Sequence, residues 1–247
     1  MLKLEICVDS ISSALNAQTA GADRIELCDN LSEGGTTPGY GMITSARSNL
    51  SLTIHVLIRP RGGDFLYSDL EYDIMRRDID LCGENGIDGI VTGILLPGGD
   101  IDIERTARLF EFAYPMNATF HRAFDMCRDP VRGLEDVITT GASRLLTSGH
   151  HNKAQDGLEL IRQLIIQAEG RLIVMPGGGI DETNAAQIVR ATGAKELHLT
   201  ARTEIDSEMI FRRQGISMGS QAGIPEFTRK VADAEKIKKI IEAVKMI

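Results

Sequence analysis

The sequence predicts a (β/α)₈ barrel that forms a single α/β domain over residues 1–247. First, short apolar segments typical of buried strands alternate with amphipathic segments typical of helices along the whole chain. Second, this alternation favours a parallel sheet covered by helices. Third, eight such units fit within 247 residues, which is the size of an eight-stranded barrel. An open doubly wound sheet is the alternative, because periodicity cannot show whether a sheet closes.

Each predicted strand is a short segment rich in aliphatic and β-branched residues, followed by a polar loop. The eight strand segments are 3–8, 24–28, 52–58, 89–94, 118–120, 144–147, 172–175 and 196–200. Their spacing leaves room for one helix after each strand, as a parallel barrel requires.

Each predicted helix has apolar residues at helical spacing and local signals at its ends. Ser10 suits the N-cap of the first helix, and Gly21 ends it. Pro130 suits the first turn of the fifth helix, and Gly141 ends it. A polar loop is predicted at about 201–225, before the last helix. The eight helix segments are 11–20, 40–48, 69–85, 103–113, 131–140, 157–168, 183–191 and about 228–245.

The composition argues against several functional classes. The formal net charge of −8 and the pI near 5.2 argue against nucleic acid or a membrane surface as a partner. The N-terminus lacks the features of a secretory signal, and no apolar run approaches the ~18 residues of a membrane span. We therefore expect a cytoplasmic protein with reduced cysteines. Because the sequence has neither a P-loop nor a strand-bound GxGxxG, no nucleotide cofactor is predicted.

Ionisable residues within the predicted strands are candidates for catalysis. Alternate residues of a barrel strand point inward, and ionisable groups are seldom buried unless they are paired or functional. Those with inward parity would form a charged layer that leads to the C-terminal mouth, where barrel enzymes hold their sites. Interior ion pairs, such as Glu26 with Arg59, are the alternative. The candidates are Glu26, His55, Arg59, His121, His198 and Arg202, with Glu5 in the same layer.

A glycine-rich turn after the seventh predicted strand is a candidate anion site. Gly177, Gly178 and Gly179 follow Pro176 there. Backbone N–H groups in such a turn can hold a phosphate, as they do at the mouths of many barrels. The alternative is a tight turn without a ligand. The adjacent pair His150 and His151 follows the sixth strand and is a weaker candidate for metal binding, because neighbouring side chains point apart.

Two of the four cysteines are candidates for binding a soft metal. Cys7 and Cys28 lie at the ends of the first two predicted strands, and each has the inward parity of a nearby glutamate. Adjacent strands are ~4.8 Å apart, so the two thiols can approach one site. Paired thiolates suit Cu(I). The alternative is a pair of small buried apolar side chains. Cys82 is expected to pack in a helix, and Cys127 is expected to be exposed on a loop.

These residues lie in motifs that resemble the CutC copper-homeostasis family, the barrel family and not the choline lyase of the same name. The matching stretches occur in family order over nearly the whole chain. They are EICVDS at 5–10, GADRIELCDNLSEGGTTPGYG at 21–41, HVLIRPRGGDFLYSD at 55–69, GIDGIVTGIL at 86–95, TFHRAFD at 119–125, LLTSGH at 145–150, MPGGGI at 175–180 and ELHLTAR at 196–202.

The resemblance implies a barrel in the cytoplasm that self-associates as a dimer or larger oligomer and takes part in copper tolerance or trafficking. It also implies that Cys7 and Cys28 bind copper. Two hypotheses follow. One is a Cu(I)-binding protein without turnover. The other is an enzyme that acts on a small phosphorylated or acidic metabolite at the barrel mouth. The charged inner layer favours this hypothesis, since a copper site made of two thiolates does not require such a layer.

Overall fold

A computed structural model of the protein describes residues 2–216, 218 and 226–245. The strands are β1 (Lys3–Val8), β2 (Arg24–Leu27), β3 (Thr53–Leu57), β4 (Gly89–Thr92), β5 (Asn117–Phe120), β6 (Arg144–Thr147), β7 (Ile173–Pro176), β8 (Glu196–Leu199), β9 (Arg202–Asp206) and β10 (Thr228–Ala232). The helices are α1 (Ile11–Ala20), α2 (Tyr40–Asn49), α3 (Asp69–Glu84), α4 (Ile103–Ala113), α5 (Pro130–Thr139), α6 (Leu158–Ala168), α7 (Ala185–Thr192) and α8 (Ala234–Lys245). Short 3₁₀ helices span Leu31–Glu33, Arg122–Met126 and Ala154–Gly157.

The eight parallel strands β1 to β8 form a barrel, as the sequence predicts. They lie in the order β7-β6-β5-β4-β3-β2-β1-β8, and a bridge between Gly177 and His198 connects the two ends of this series. Contacts across the interior agree with closure, since Arg144 Nε of β6 lies 2.9 Å from Glu196 Oε2 of β8. A Cβ on Gly177 would lie 2.6 Å from Leu146 Cδ1, so the two strands pack closely at this bridge and a larger residue would displace the Leu146 side chain. The open-sheet alternative is therefore wrong.

The helices begin and end where the capping residues in the sequence predict. The Ser10 side chain accepts a hydrogen bond from the Ser13 N–H at the start of α1, and Gly21 ends that helix with a φ of +88°. Pro130 occupies the first turn of α5. The apolar faces of these helices pack on the outside of the barrel and bury residues such as Ala17 and Leu134. Local signals and tertiary packing thus agree.

The last part of the chain differs from the sequence prediction. Strands β9 and β10 form an antiparallel pair, where the sequence predicted a loop over 201–225 and a helix from about 228. The Ala232 N–H donates a 3.1 Å hydrogen bond to Ser13 Oγ, and the Ala232 carbonyl accepts one from Asn16 Nδ2, so α1 fixes the end of β10. Residues 217 and 219–225 of the predicted loop lie outside the described residues. Among the residues described, no helix is both long and apolar enough to cross a membrane.

Candidate functional site

The C-terminal mouth of the barrel holds a cavity of about 250 Å³, which we call the mouth cavity. Strands β1, β2 and β8 and the residues that follow β3, β5 and β7 contribute side chains to it, so residues distant in sequence meet there. Of the residues predicted from the sequence, those that line it are Cys7, Glu26, Arg59, His121, Gly178, Gly179, His198 and Arg202.

The two candidate copper ligands meet at the floor of the mouth cavity. Cys7 Sγ lies 3.5 Å from Cys28 Sγ, and both side chains are buried. The approach follows from strand register, because the Cys28 N–H donates to the carbonyl of Val8 on the neighbouring strand. Cys28 lies behind Cys7 against Leu57, in a small apolar cluster outside the lining of the cavity. The pair can therefore serve both as packing and as a dithiol site.

Electrostatic coupling makes the two thiols unequal. The hydrogen bond from Cys28 lowers the pKa of the Cys7 thiol far below its usual range, against the opposing effect of burial. Burial, together with the neighbouring Cys7, raises the pKa of Cys28. Burial and the charge of Cys7 also raise the pKa of Glu26, whose Oε2 lies 3.3 Å from Cys28 Sγ. Cys7 is thus the more acidic thiol of the pair.

His198 connects the thiols to the interior of the barrel. Its Nδ1 lies 2.8 Å from Glu5 Oε1, and its Nε2 lies 3.8 Å from Glu26 Oε2. Burial alone would lower the pKa of His198, but Glu26, Cys7 and Glu5 raise it. One ligand atom each from Cys7, Glu26 and His198 lies within 4.8 Å of the others. This buried group could supply sulfur, oxygen and nitrogen ligands to one ion.

Arg59 holds a loop at the mouth and does not pair with Glu26. Its Nη1 donates to the carbonyls of Glu33 and Gly35 at 2.9 and 2.7 Å, and its Nη2 donates to the carbonyl of Gly63 at 2.8 Å. No ion pair joins Glu26 to Arg59 among the described residues, so that example is wrong, although Glu26 lies 3.8 Å from His198 Nε2. The Arg59 Nε is buried and has no hydrogen-bond partner among these residues.

His121 is buried beside Arg59 with one ring nitrogen unused. Its Nδ1 accepts a 3.3 Å hydrogen bond from the Ala123 N–H, which leaves the proton on Nε2. Nε2 has no partner within the described part of the chain. Burial, with a contribution from Arg59, lowers the pKa of His121 to about 3. His121 is therefore a neutral hydrogen-bond donor at the cavity wall.

Two predicted site residues differ from expectation in their placement. His55 is buried below the mouth cavity and does not line it; its Nδ1 lies 3.8 Å from Glu5 Oε2. Gly177 belongs to the predicted anion site, but its N–H donates to the carbonyl of Thr147 at 2.9 Å and is not available to a ligand. Arg202 does line the cavity and lies 3.7 Å from Asp9 Oδ2 through its Nη1.

The remaining cysteines are both buried. Cys82 packs in α3 within the main core, as the sequence predicts. Cys127 was expected to be exposed, which is wrong, because its Sγ lies in a buried contact 3.6 Å from His150 Nε2. A loop residue is buried here because the segment folds back over α5, where Gly133 leaves room for the sulfur. His150 is thereby drawn toward Cys127, and no metal site includes His151 among the described residues.

Sequence reasoning missed a second charged group at the N-terminal end of the barrel interior. Arg24 donates to Glu5 and, through Nη2 at 2.6 Å, to Glu196. Arg144 Nε donates to the same Glu196 carboxylate at 2.9 Å. We call these four residues the buried charge network. Burial would raise the pKa of Glu5, but the Arg24 charge and the His198 hydrogen bond outweigh it and lower that pKa. The parity that Arg24 shares with Glu26 could have revealed it.

Fold and site together define a single-domain (β/α)₈ barrel with a buried dithiol at its mouth. A profile of the CutC family matches residues 2–203. A family protein CutC from Chromobacterium violaceum is 49% identical over 240 residues, which cover 97% of each chain. The human copper homeostasis protein cutC homolog is 48% identical over 235 residues, covering 95% of this chain and 86% of the human protein. The chain belongs to the CutC family.

Solved structures agree with this assignment. The crystal structure of the CutC protein from Streptococcus agalactiae has a TM-score of 0.77 and 35% sequence identity, and it covers 81% of this chain and 99% of the other. Phosphoribosylanthranilate isomerase from Thermotoga maritima has a TM-score of 0.60, with full coverage of both chains. At 13% identity that second likeness concerns the fold alone.

Proposed function

We propose that this protein binds Cu(I) in the cytoplasm through Cys7 and Cys28. The 3.5 Å separation of the two sulfur atoms at the floor of the mouth cavity carries the proposal. Two sulfur atoms at this distance can contact one ion, and thiolates select Cu(I) over harder metals. The name of the human relative, copper homeostasis protein, supports the same role. Free thiols at the site are compatible with a reducing compartment.

The surroundings of the dithiol fit a soft ion. Cys7 lines the mouth cavity whereas Cys28 does not, so an ion that enters from the mouth meets Cys7 first. Leu57 and Val91 pack around the sulfurs and restrict access of water, which favours a soft ligand set over hydrated hard cations. His198 is the neighbouring nitrogen donor. When bound, the ion would replace the proton that Cys28 shares with Cys7.

Competition with a colorimetric Cu(I) chelator tests this proposal. Wild-type protein, Cys7→Ser, Cys28→Ser and the double variant would be titrated anaerobically, with Cys82→Ser as the matched control, because Cys82 is equally buried but lies in α3. We expect one equivalent of Cu(I) to be lost in the double variant and retained in Cys82→Ser. Equal Cu(I) affinity in the double variant and the wild type would refute the proposal.

We also propose that the protein self-associates, as the family resemblance implies. The segment after β9 presents Met209, Ile210 and Phe211 to solvent as consecutive exposed apolar side chains, which a second copy could cover. Light scattering on the purified protein should give at least twice the chain mass of 26.9 kDa. Replacing Ile210 and Phe211 by Asp should shift the protein toward the single-chain mass. A monomer at micromolar concentration in the wild type would contradict self-association.

A second candidate function is supported by unused donors in the mouth cavity. His121 and Arg59 both line this cavity. The buried atoms His121 Nε2 and Arg59 Nε have no hydrogen-bond partner among the described residues. Unpaired buried donors cost free energy, so a function that supplies an acceptor explains them better than packing does. We infer an enzyme acting on a small phosphorylated or acidic metabolite. Thermal-shift screening of such metabolites should find one that stabilises the wild type but not Arg59→Ala. If no compound in a broad library stabilised the wild type, the enzyme hypothesis would be contradicted.

A further inference from the structure

We propose that the mouth cavity holds the phosphate group of a small phosphate monoester, bound by the backbone N–H groups of Gly179, Ile180 and Thr200 beside the guanidinium of Arg122. The inference rests on the second candidate function and names the substrate class of that site. Its ligand-binding groups do not include the dithiol, although Cys7 lines the same cavity.

Several residues that line the mouth cavity have a backbone N–H group without an acceptor among the described residues. After β7 the chain turns through Gly178 and Gly179, with φ values of +102° and +66°, before α7. The Asp181 N–H is satisfied by Asn184 Oδ1, whereas those of Gly179 and Ile180 donate to no described residue. The Thr200 N–H, after β8, is also free of a described acceptor. Residues 179, 180 and 200 all line the mouth cavity.

The glycines let the backbone lie close to two cationic side chains. A Cβ on Gly179 would lie 3.0 Å from Lys153 Cγ, and one on Gly178 would lie 3.4 Å from Arg122 Nη1. Free N–H groups in such a turn form a concave anion-binding surface. The loops after the seventh and eighth strands are also where barrels of this fold commonly hold a phosphate.

Arg122 is fixed with one donor group toward this turn. Its Nε donates to Asp125 Oδ2 at 2.7 Å, and its Nη2 donates to Ser148 Oγ at 2.7 Å. Its Nη1 has no partner among the described residues and lies next to Gly178. Nη2 also donates to the His151 carbonyl at 3.2 Å. A guanidinium held by these three hydrogen bonds loses little freedom when it binds an anion, so its remaining N–H groups are well placed for a phosphate oxygen.

The charge of the cavity favours an anion although the whole chain carries −8. Arg59, Arg122 and Arg202 line it, and Glu26 is the one carboxylate among the lining residues that the structure describes. Asp125 pairs with Arg122, and Asp9 lies near Arg202, yet neither acidic residue lines the cavity. Among the lining residues, the three arginines outnumber the Glu26 carboxylate and the Cys7 thiol, so the ligand meets an excess of positive charge.

His121 and Arg59 suit the other end of the ligand. The His121 Nε2–H and the Arg59 Nε–H are donors, so they match a carbonyl or hydroxyl oxygen. The cavity of about 250 Å³ is at the small end of ligand sites, which favours a short carbon skeleton over a nucleotide. The ligand that fits is a phosphate monoester with an oxygen function a few bonds from the ester.

Backbone NMR of ¹⁵N-labelled full-length protein tests the proposal with inorganic phosphate, glycerol 3-phosphate and glycerol. We expect both phosphates to shift the amide signals of Gly179, Ile180 and Thr200, and glycerol to leave them unchanged. Arg122→Met should weaken the binding of both phosphates by about 10- to 100-fold, as for the loss of a charged hydrogen bond. Arg128→Met is the matched control, because Arg128 is an exposed arginine that does not line the cavity. This variant should bind both phosphates with the wild-type affinity.

A second variant separates the two ends of the ligand. His121→Phe should weaken glycerol 3-phosphate binding and leave inorganic phosphate binding unchanged. If Arg122→Met does not fold, the wild-type amide shifts decide alone. Unmoved signals at residues 179, 180 and 200 with both phosphates would overturn this inference. If a carboxylate metabolite still stabilised the protein in the thermal-shift screen, the second candidate function would stand without a phosphate site. If neither experiment detected a ligand, both the phosphate site and the second candidate function would be refuted.

Discussion

The lower and upper parts of the barrel interior differ in how their polar groups are paired. In the buried charge network, the side chains of Arg24 and Arg144 alternate with those of Glu5 and Glu196, and each charge has an opposite neighbour. In the mouth cavity, by contrast, His121 keeps a buried donor without an acceptor among the described residues. The two parts use similar residue types from the same strands.

This difference indicates a division of roles along the barrel axis. Charges that the chain neutralises by itself contribute to the folded state and need no ligand. Donors that the chain leaves unpaired, such as Arg59 Nε, lower stability unless a ligand supplies the acceptor. Similar residue types are thus fully paired in the buried charge network and only partly paired in the mouth cavity.

The largest expected effect comes from breaking the buried charge network. Arg24→Met would leave the Glu5 and Glu196 carboxylates without their shared partner. Removing one member of a buried ion pair costs about 3–5 kcal/mol, because the remaining charge stays buried and uncompensated. The free energy of unfolding in urea should fall by that amount.

A surface pair provides the control for this effect. Arg171 pairs with Glu135 through Nη1 at 2.6 Å, but both side chains are exposed. Arg171→Met should leave the urea midpoint nearly unchanged, since exposed pairs add little. Equal losses of stability in Arg24→Met and Arg171→Met would contradict the assignment of a structural role to the network.

A smaller effect should appear in the pH dependence of stability. Burial, opposed by Glu5, lowers the pKa of His55 to about 4 from an ordinary value near 6.5. Between these values the unfolded state binds a proton that the folded state does not, so stability is fully present above pH 6.5 and declines as pH falls toward 4. His55→Gln should remove up to about 3 kcal/mol of this decline.

Urea unfolding at pH 7, 6, 5 and 4 measures the His55 effect. As pH falls, the free energy of unfolding should decrease less in His55→Gln than in the wild type. The pH dependence of this difference reports the proton that His55 binds in the unfolded but not in the folded state. A difference that stays constant with pH would show that His55 has the same pKa in both states and would contradict the prediction.

The smallest expected effect concerns an unpaired hydroxyl outside the mouth cavity. Thr119 Oγ1 of β5 is buried and has no partner among the described residues. Thr119→Val should raise the free energy of unfolding by about 1 kcal/mol, because an unsatisfied polar group is removed. Thr140 is the matched control, since its hydroxyl donates to the Val137 carbonyl at 2.6 Å and Thr140→Val should lower stability. Destabilisation by both substitutions would show that Thr119 is satisfied in solution.

Much of the fold could be predicted because its signals are local. Caps such as Ser10 and stops such as Gly21 fix helix ends wherever the rest of the chain lies. Strands β9 and β10 were missed because they pair with each other across 21 intervening residues, 207–227, and no helix is found among the described residues between them. The segment 228–232, TRKVA, has no apolar–polar alternation and lies directly before an amphipathic helix, so the sequence pattern assigned it to that helix.

The site could be predicted only in part. The alternation of residues along a strand predicts which side chains point into the barrel, but it does not predict how far along the barrel axis they lie or which residues they contact. Cys7 and Cys28 have inward parity on adjacent strands, and they do meet. His55 has the same parity as Arg59, yet it lies below the cavity, since strand tilt sets depth and leaves no trace in sequence. Arg24 was missed because a charge at the start of a strand is usually solvated, whereas here the barrel bottom is closed around it.

The barrel closes at its least connected junction. Along the described strands, β7 and β8 share the bridge of Gly177 with His198, whereas every other neighbouring pair has a ladder of two or more residue pairs. Local opening requires less free energy where fewer backbone hydrogen bonds must break, so amide hydrogen exchange should be fastest along this junction. Cys7 and His198 lie on one side of it and Gly179 on the other, so a metal or phosphate that contacts this region would slow that exchange. Exchange rates at the junction would then report occupancy of the mouth, whichever of the two ligands is bound.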